Sequence, residues 1–159
     1  MFSRRELVLA IYDATARTIE TFESLAGEDW TAQVEHEPTW TTRDVLAHLA
    51  GSGIAYALLI ETARQGVALQ SFDREEFIQV RLADRATVPV ADLLTEYRTV
   101  QLDLIRQVAT MSPALLEHPV RIGSCWASLD SALFQAAALH ALRHRAQVMR
   151  ALTERRGEA

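Results

Sequence analysis

The chain has 159 residues, 49% of them hydrophobic and 23% charged, with a formal net charge of −5. That length suits one domain with a substantial core, so residues 1–159 are expected to form a single domain, and the composition excludes a disordered chain. Acidic and basic residues interleave without forming a basic stripe, which argues against a nucleic-acid partner.

The N-terminal stretch from Ser3 to about Leu25 places Leu7, Ile11, Ala14, Phe22 and Leu25 on one stripe and reads as a first amphipathic helix. Glu6 and Asp13 interrupt its apolar run too early for a signal peptide. No segment approaches the roughly 20 apolar residues of a membrane span, so no membrane partner is expected. Residues 26–40, with Gly27, Pro38, Trp30 and Trp40, lack periodicity and read as a connecting loop.

Trp40-Thr-Thr-Arg-Asp-Val45 is a helix-start signal. Thr41 can cap, Asp44 can bond back to it, and Trp40 can staple against Val45. The second helix is expected to run to about Arg64, with Gly51 and Gly53 inside it serving close packing or a nearby ligand. Asp73 and Glu76 form a further capping pair, giving a short accessory helix at about 73–85. Pro89 suits a first helical position, and Leu93, Tyr97, Val100, Leu104 and Val108 mark the third long helix, ending near Met111. Pro113, Pro119 and Gly123 then break the chain. Ser128 opens the last helix, whose inward stripe is Leu129, Leu133, Ala136, Ala137, His140, His144 and Val148. The expected fold is all-α: a four-helix bundle with an accessory helix between the second and third helices.

Every basic side chain is arginine, since lysine is absent, and this rules out lysine chemistry; asparagine is absent too, which suggests a bacterial genome of high GC content. Cys125 is the sole cysteine, so no intrachain disulfide can form, and a cytoplasmic location is expected.

His140 and His144 are four residues apart, hence one turn apart on one helix face. His48 shares a stripe with Val45, Leu49 and Ser52 and is expected to point inward. Three imidazoles from two helices could bind a metal and leave a coordination position open, as catalytic sites require. The other reading of the same pattern is three core histidines bonded to ordinary acceptors. Gln147 and Asp44 are placed to orient ligands, although Asp44 also suits a helix cap. Arg143 and Arg145 suit either a substrate carboxylate or a solvated face. Tyr56 and Trp126 suit a pocket lining or the core, Cys125 suits packing beside Trp126, and His36 and His118 fall in loops.

Trp40-Thr-Thr-Arg-Asp-Val-Leu-Ala-His48-Leu-Ala-Gly51 resembles the helix-two signature of the DinB/YfiT-like superfamily, and Leu139-His140-Ala-Leu-Arg-His144-Arg-Ala-Gln147-Val148 resembles its helix-four signature. The resemblance implies a metal-binding triad of His48, His140 and His144. The implied ion is divalent: zinc or nickel foremost, with iron and manganese also in the range. It also implies a bundle of unusual helix order and pairing as a homodimer. The helix-two segment further resembles the N-terminal domain of mycothiol-dependent maleylpyruvate isomerases. Those commonly carry glutamate where His140 stands, and the chain leaves no room for their second domain. The expectation is therefore a metal-dependent hydrolase or a low-molecular-weight-thiol S-transferase using bacillithiol or mycothiol, acting on a small-molecule substrate. With Cys125 the sole thiol, such a transferase needs an external thiol co-substrate. The alternatives are a non-enzymatic stress-response or small-molecule-binding bundle, and a structural dimer whose histidines pack without an ion.

Overall fold

The structure is a computed structural model that describes residues 2–34, 40–67, 74–122 and 125–157. Helix α1 spans Arg4–Glu23 behind a capping box in which the Ser3 hydroxyl accepts from the Glu6 amide and the Glu6 carboxylate accepts from the Ser3 amide. It buries Leu7, Ile11, Ala14 and Phe22, the expected stripe.

The connection after α1 contains a 3-10 turn, Gly27–Thr31, and then an isolated bridge between Gln33 and Thr41. The Val34 amide donates to the Trp40 carbonyl at 3.1 Å and the Thr42 amide to the Ala32 carbonyl at 2.9 Å. These bonds fix both flanks of Trp40 before the helix begins.

The expected second helix is two helices. α2 covers Thr42–Ala50 and α3 covers Gly53–Gln65, separated by a turn at Gly51 and Ser52. Close packing accounts for Gly53, where a Cβ would lie 3.2 Å from both Val100 methyls, whereas at Gly51 a Cβ would meet only ordinary contact distances, 3.5 Å from Arg81 Cβ. Within Thr42–Gln65 an 18-residue window has a mean hydropathy of 1.4, so by length and composition alone this stretch is apolar enough to cross a bilayer. This departs from the expectation that no segment comes near a span. Its apolar character comes from alanines, leucines and isoleucines that mostly face other helices, 61% of the apolar window being buried.

Accessory helix α4 covers Arg74–Asp84, close to the expected range, while Asp73 of the capping pair lies outside the described residues. Arg43 on α2 donates to the carbonyls of Arg85 and Val88 at 2.8 and 2.6 Å, and Arg85 forms a bidentate pair with Glu96. The α4–α5 turn is thereby tied to both α2 and α5. α5 covers Val90–Thr110, with Pro89 at the cap and not at the first helical position. The reason is its extended ψ of 146°.

After the short α6, Pro113–Leu116, the chain forms an antiparallel hairpin that the sequence reading took for breaks: β1, Pro119–Ile122, pairs with β2, Cys125–Ser128. β1 packs on α3 and on α7, Leu129–Leu133, and Val120 is fully buried. The final helix then passes through a π-helical turn, Phe134–Leu139, into α8, His140–Arg156.

The π turn has a physical reason. On an ideal helix at about 100° per residue, the buried face of Leu129, Ala132 and Leu133 and that of Ala141, His144 and Val148 are out of phase by roughly one residue. A π turn takes up about one extra residue, so both halves face the same core.

The bundle arms are α1, α2–α3, α5 and α7–α8. α1 packs on α5 and α8, and α2 packs on α5, α4 and α8. Two apolar clusters result. One gathers Leu7, Ile11, Ile60, Leu104, Leu129 and Leu133, and the other gathers Phe22, Trp40, Val45, Leu49, Leu93 and Val148.

Candidate metal centre

α2 and α8 pack against each other near the second cluster. His48 lies two turns into α2, so its position descends from the Thr41 cap. The Thr41 amide and hydroxyl both donate to the Asp44 carboxylate at 2.8 and 2.7 Å, and the Asp44 amide donates back to the Thr41 hydroxyl. Asp44 is thus a cap and not a partner of the histidines. His140 opens α8 and His144 follows one turn later.

The three rings converge. His140 Nε2 lies 3.1 Å from His48 Nε2 and 2.9 Å from His144 Nε2, and the three side chains each offer a nitrogen within 4.8 Å of the others. Ring centroids are 4.5–5.0 Å apart, with edge-to-face angles. His144 is buried at 9% exposure, while His48 and His140 are half-buried. A tetrahedral ion with nitrogen bonds of roughly 2.0–2.1 Å asks for donors about 3.4 Å apart, near the observed spacing.

The donor chemistry points the same way. Gln147 Oε1 lies 2.7 Å from His144 Nδ1 and can only accept, so the proton sits on Nδ1 and a lone pair on His144 Nε2 faces His140. A single proton on His140 Nε2 can serve only one of its two nitrogen neighbours well; a cation serves all three lone pairs at once. Gln147 therefore takes the orienting place expected of it.

Trp40, expected as the staple on Val45, also lines the site. It is buried, and its ring lies 5.1 Å from His48 and 6.1 Å from His144 between centroids, walling the triad on one side. The signal was present: a residue stapled to Val45 lies over the face that carries His48 one turn later.

Other candidates sit elsewhere. Arg143 is exposed, and Arg145 donates to the Arg17 carbonyl at 3.2 Å and the Thr21 hydroxyl at 2.8 Å, so it clips α8 to α1 instead of facing solvent. Trp126 is 61% exposed and Cys125 is also exposed, because both lie on the outer part of the hairpin. Neither belongs to the core. Tyr56 is buried in the core. His118 is half-buried in the turn before β1, and His36 lies outside the described residues.

Comparison with known proteins agrees with this architecture. The family model of the mycothiol maleylpyruvate isomerase N-terminal domain matches residues 11–141, which include His48 and His140 and stop short of His144. Among solved structures, a mycothiol-dependent maleylpyruvate isomerase superposes with a TM-score of 0.77 at 16% identity, covering 92% of this chain and 61% of that one. This chain thus spans less than two thirds of that enzyme. YfiT from Bacillus subtilis, described as a probable metal-dependent hydrolase with an unusual four-helix bundle topology, gives 0.78 at 16% identity over 99% of this chain and 91% of its own. An uncharacterised protein from Escherichia coli UTI89 gives 0.76 at 14% identity, covering 97% and 95%. At such identities these structures share the fold. No curated protein sequence matches the chain. The chain belongs to the mycothiol maleylpyruvate isomerase N-terminal domain family and has the DinB/YfiT-like fold.

Proposed function

We propose that residues 1–159 act as one domain in which His48, His140 and His144 bind a divalent metal ion, and that the chain is a metal-dependent enzyme using a small-molecule substrate. The observation that carries this reading is the convergence of the three Nε2 atoms, at 2.9 and 3.1 Å about His140. Three neutral imidazoles leave an open coordination position, as catalytic and not structural zinc sites do.

A divalent ion bound there would supply Lewis acidity toward a thiol or a water molecule. The chain's own residues do the rest. Gln147 holds the His144 proton on Nδ1 and so keeps Nε2 free to ligate. Trp40 packs beside two of the rings, fixes their tilt and keeps solvent off that side. The Thr41–Asp44 cap and the Arg43 clamp fix the α2 turn from which His48 projects.

Membership of a family named for a mycothiol enzyme favours an external low-molecular-weight thiol as co-substrate over water. Cys125 is exposed and lies on β2, not on α2 or α8, which also favours a thiol brought from outside.

The test is elemental analysis and calorimetric titration with Zn²⁺ and Ni²⁺. Wild type should take up one ion per chain, and His48→Ala should bind at least about 100-fold more weakly with its helix content unchanged. Equal affinity in the variant would sink the reading. Conjugation of an electrophile with mycothiol, bacillithiol or glutathione, set beside an ester and amide panel, then separates thiol transfer from hydrolysis.

A further inference from the structure

Two atoms deep in the core, the Tyr97 hydroxyl and the Gln101 amide oxygen, have no hydrogen-bond partner among the described residues. Both side chains are fully buried, one turn apart on one face of α5. Buried polar groups in folded proteins are otherwise nearly always partnered, by protein or by an ordered water.

The surroundings are polar as well. Gln101 Nε2 donates to the Tyr56 hydroxyl at 3.0 Å, Ser52 interacts with that same hydroxyl, and Ser52 Oγ donates to the His48 carbonyl at 3.3 Å. The polar layer therefore reaches from α5 to the helical turn that carries His48. Across the core on α1, Thr15 and Thr18 approach the Tyr97 hydroxyl. Their own protons are already given to the Ile11 and Ala14 carbonyls, both at 2.7 Å. Burial raises the pKa of both tyrosines, so each hydroxyl keeps its proton.

Counting donors and acceptors defines what fits. The layer offers unused oxygen lone pairs on Gln101, Thr15 and Thr18, and one hydroxyl proton on Tyr97. It contains no charged side chain, so an anion finds no counter-charge. A small neutral molecule with an O–H donor and an oxygen acceptor satisfies both orphaned atoms.

We propose that Gln101 and Tyr97 hold one small hydroxylic molecule, water in the resting protein, in an internal site between α1, α3 and α5. The site does not depend on whether the histidines carry a metal. The layer gives a hydroxyl-bearing ligand a polar foothold within an otherwise apolar bundle.

The experiment is solution NMR on the full-length chain, reading direct cross-relaxation between water and the Gln101 side-chain amide protons. A long-lived water signal there is expected. Its absence overturns the proposal. Removing the bound molecule's partners should also destabilise the fold, so Tyr97→Phe and Gln101→Leu are expected to lower Tm by about 2–4 °C each. A rise in Tm in both variants would mean dry, unsatisfied atoms and would likewise overturn it. The wild-type measurement stands even if a variant fails to fold. Repeating it with ¹³C-methanol as probe separates the two sources of the hydroxyl: methanol contacts at Tyr97 show that an organic hydroxyl can enter, and water contacts alone confine the site to water.

Discussion

His144 and Gln147 form a fixed pair, with imidazole Nδ1 and amide Oε1 2.7 Å apart. The amide oxygen sets the tautomer, and the tautomer aims the Nε2 lone pair at the other two histidines. Partners of this kind typically account for 10–100-fold in metal affinity. Gln147→Leu is therefore expected to weaken Zn²⁺ binding by about 10–100-fold with helix content unchanged, whereas Gln147→Glu, which keeps an acceptor, should retain binding. Calorimetric titration reads both; an unaffected Gln147→Leu variant would remove the amide from the site.

Gly53 tests how tightly α3 sits on α5. Alanine there gains up to about 1 kcal/mol of helix propensity. Its Cβ, however, would stand 3.2 Å from both methyls of Val100, a branched side chain with no easy escape, and overpacking of this kind costs about 1–3 kcal/mol. The clash wins, so Gly53→Ala should destabilise by about 1 kcal/mol, and adding Val100→Ala should relieve the clash. A double-mutant cycle in urea showing no coupling would refute this. At Gly51 the nearest atoms are at 3.4–3.5 Å, ordinary contact distance, and alanine there should be neutral or mildly stabilising.

Part of the site is local in the sequence and part is not. The i, i+4 spacing of His140 and His144 and the cap that fixes His48 are local features, and the resemblance joined them into a triad that the structure brings together. Trp40 was legible as a staple but not as the wall of the site, because its second neighbour, His144, comes from a distant helix. The hairpin was hidden because four-residue strands bounded by Pro119 and Gly123 carry too little alternation to register, and β1 is held by packing of Val120 under α3 and α7. The break between α2 and α3 depends on what packs against Gly51 and Gly53, which only the tertiary structure supplies.

Asp130 gives a pH-dependent prediction. Its side chain is fully buried, which alone raises a carboxyl pKa. The Ser128 hydroxyl, the Phe2 amide and the Ser131 amide all donate to it and hold the pKa below the ordinary carboxylate value. A carboxyl depressed in the folded state stabilises fully above its unfolded pKa of about 3.9, and that contribution is lost as pH falls through the folded value. The latch between the N-terminus and the start of α7 should therefore hold at pH 5–7 and weaken below about pH 4. Asp130→Asn should cost about 2 kcal/mol at pH 7 and progressively less as pH falls below about 4. Urea midpoints of both proteins across this range check it; a cost that is constant with pH would show that the carboxylate charge is not what holds the latch.

The π turn leads to a prediction opposite to the usual rule for helix deletions. Removing a residue from a regular helix rotates everything beyond it by about 100° and buries the wrong face. Between Leu133 and His140, however, the two buried faces are already one residue out of phase, and the π turn absorbs the excess. Deleting Ala136 should convert the turn to regular α-helix while leaving Leu133 and His144 on the faces they now occupy. The variant should keep its Zn²⁺ affinity and unfold at or above the wild-type Tm, because π geometry is the less favourable form. Deleting Ala146, in the regular part of α8, should instead displace Gln147 and Val148 from the core side and cost about 3 kcal/mol or more. Thermal unfolding with and without Zn²⁺ compares the two deletions. If both are equally damaging, the π turn is not a one-residue register correction and some other constraint on Phe134–Leu139 maintains it.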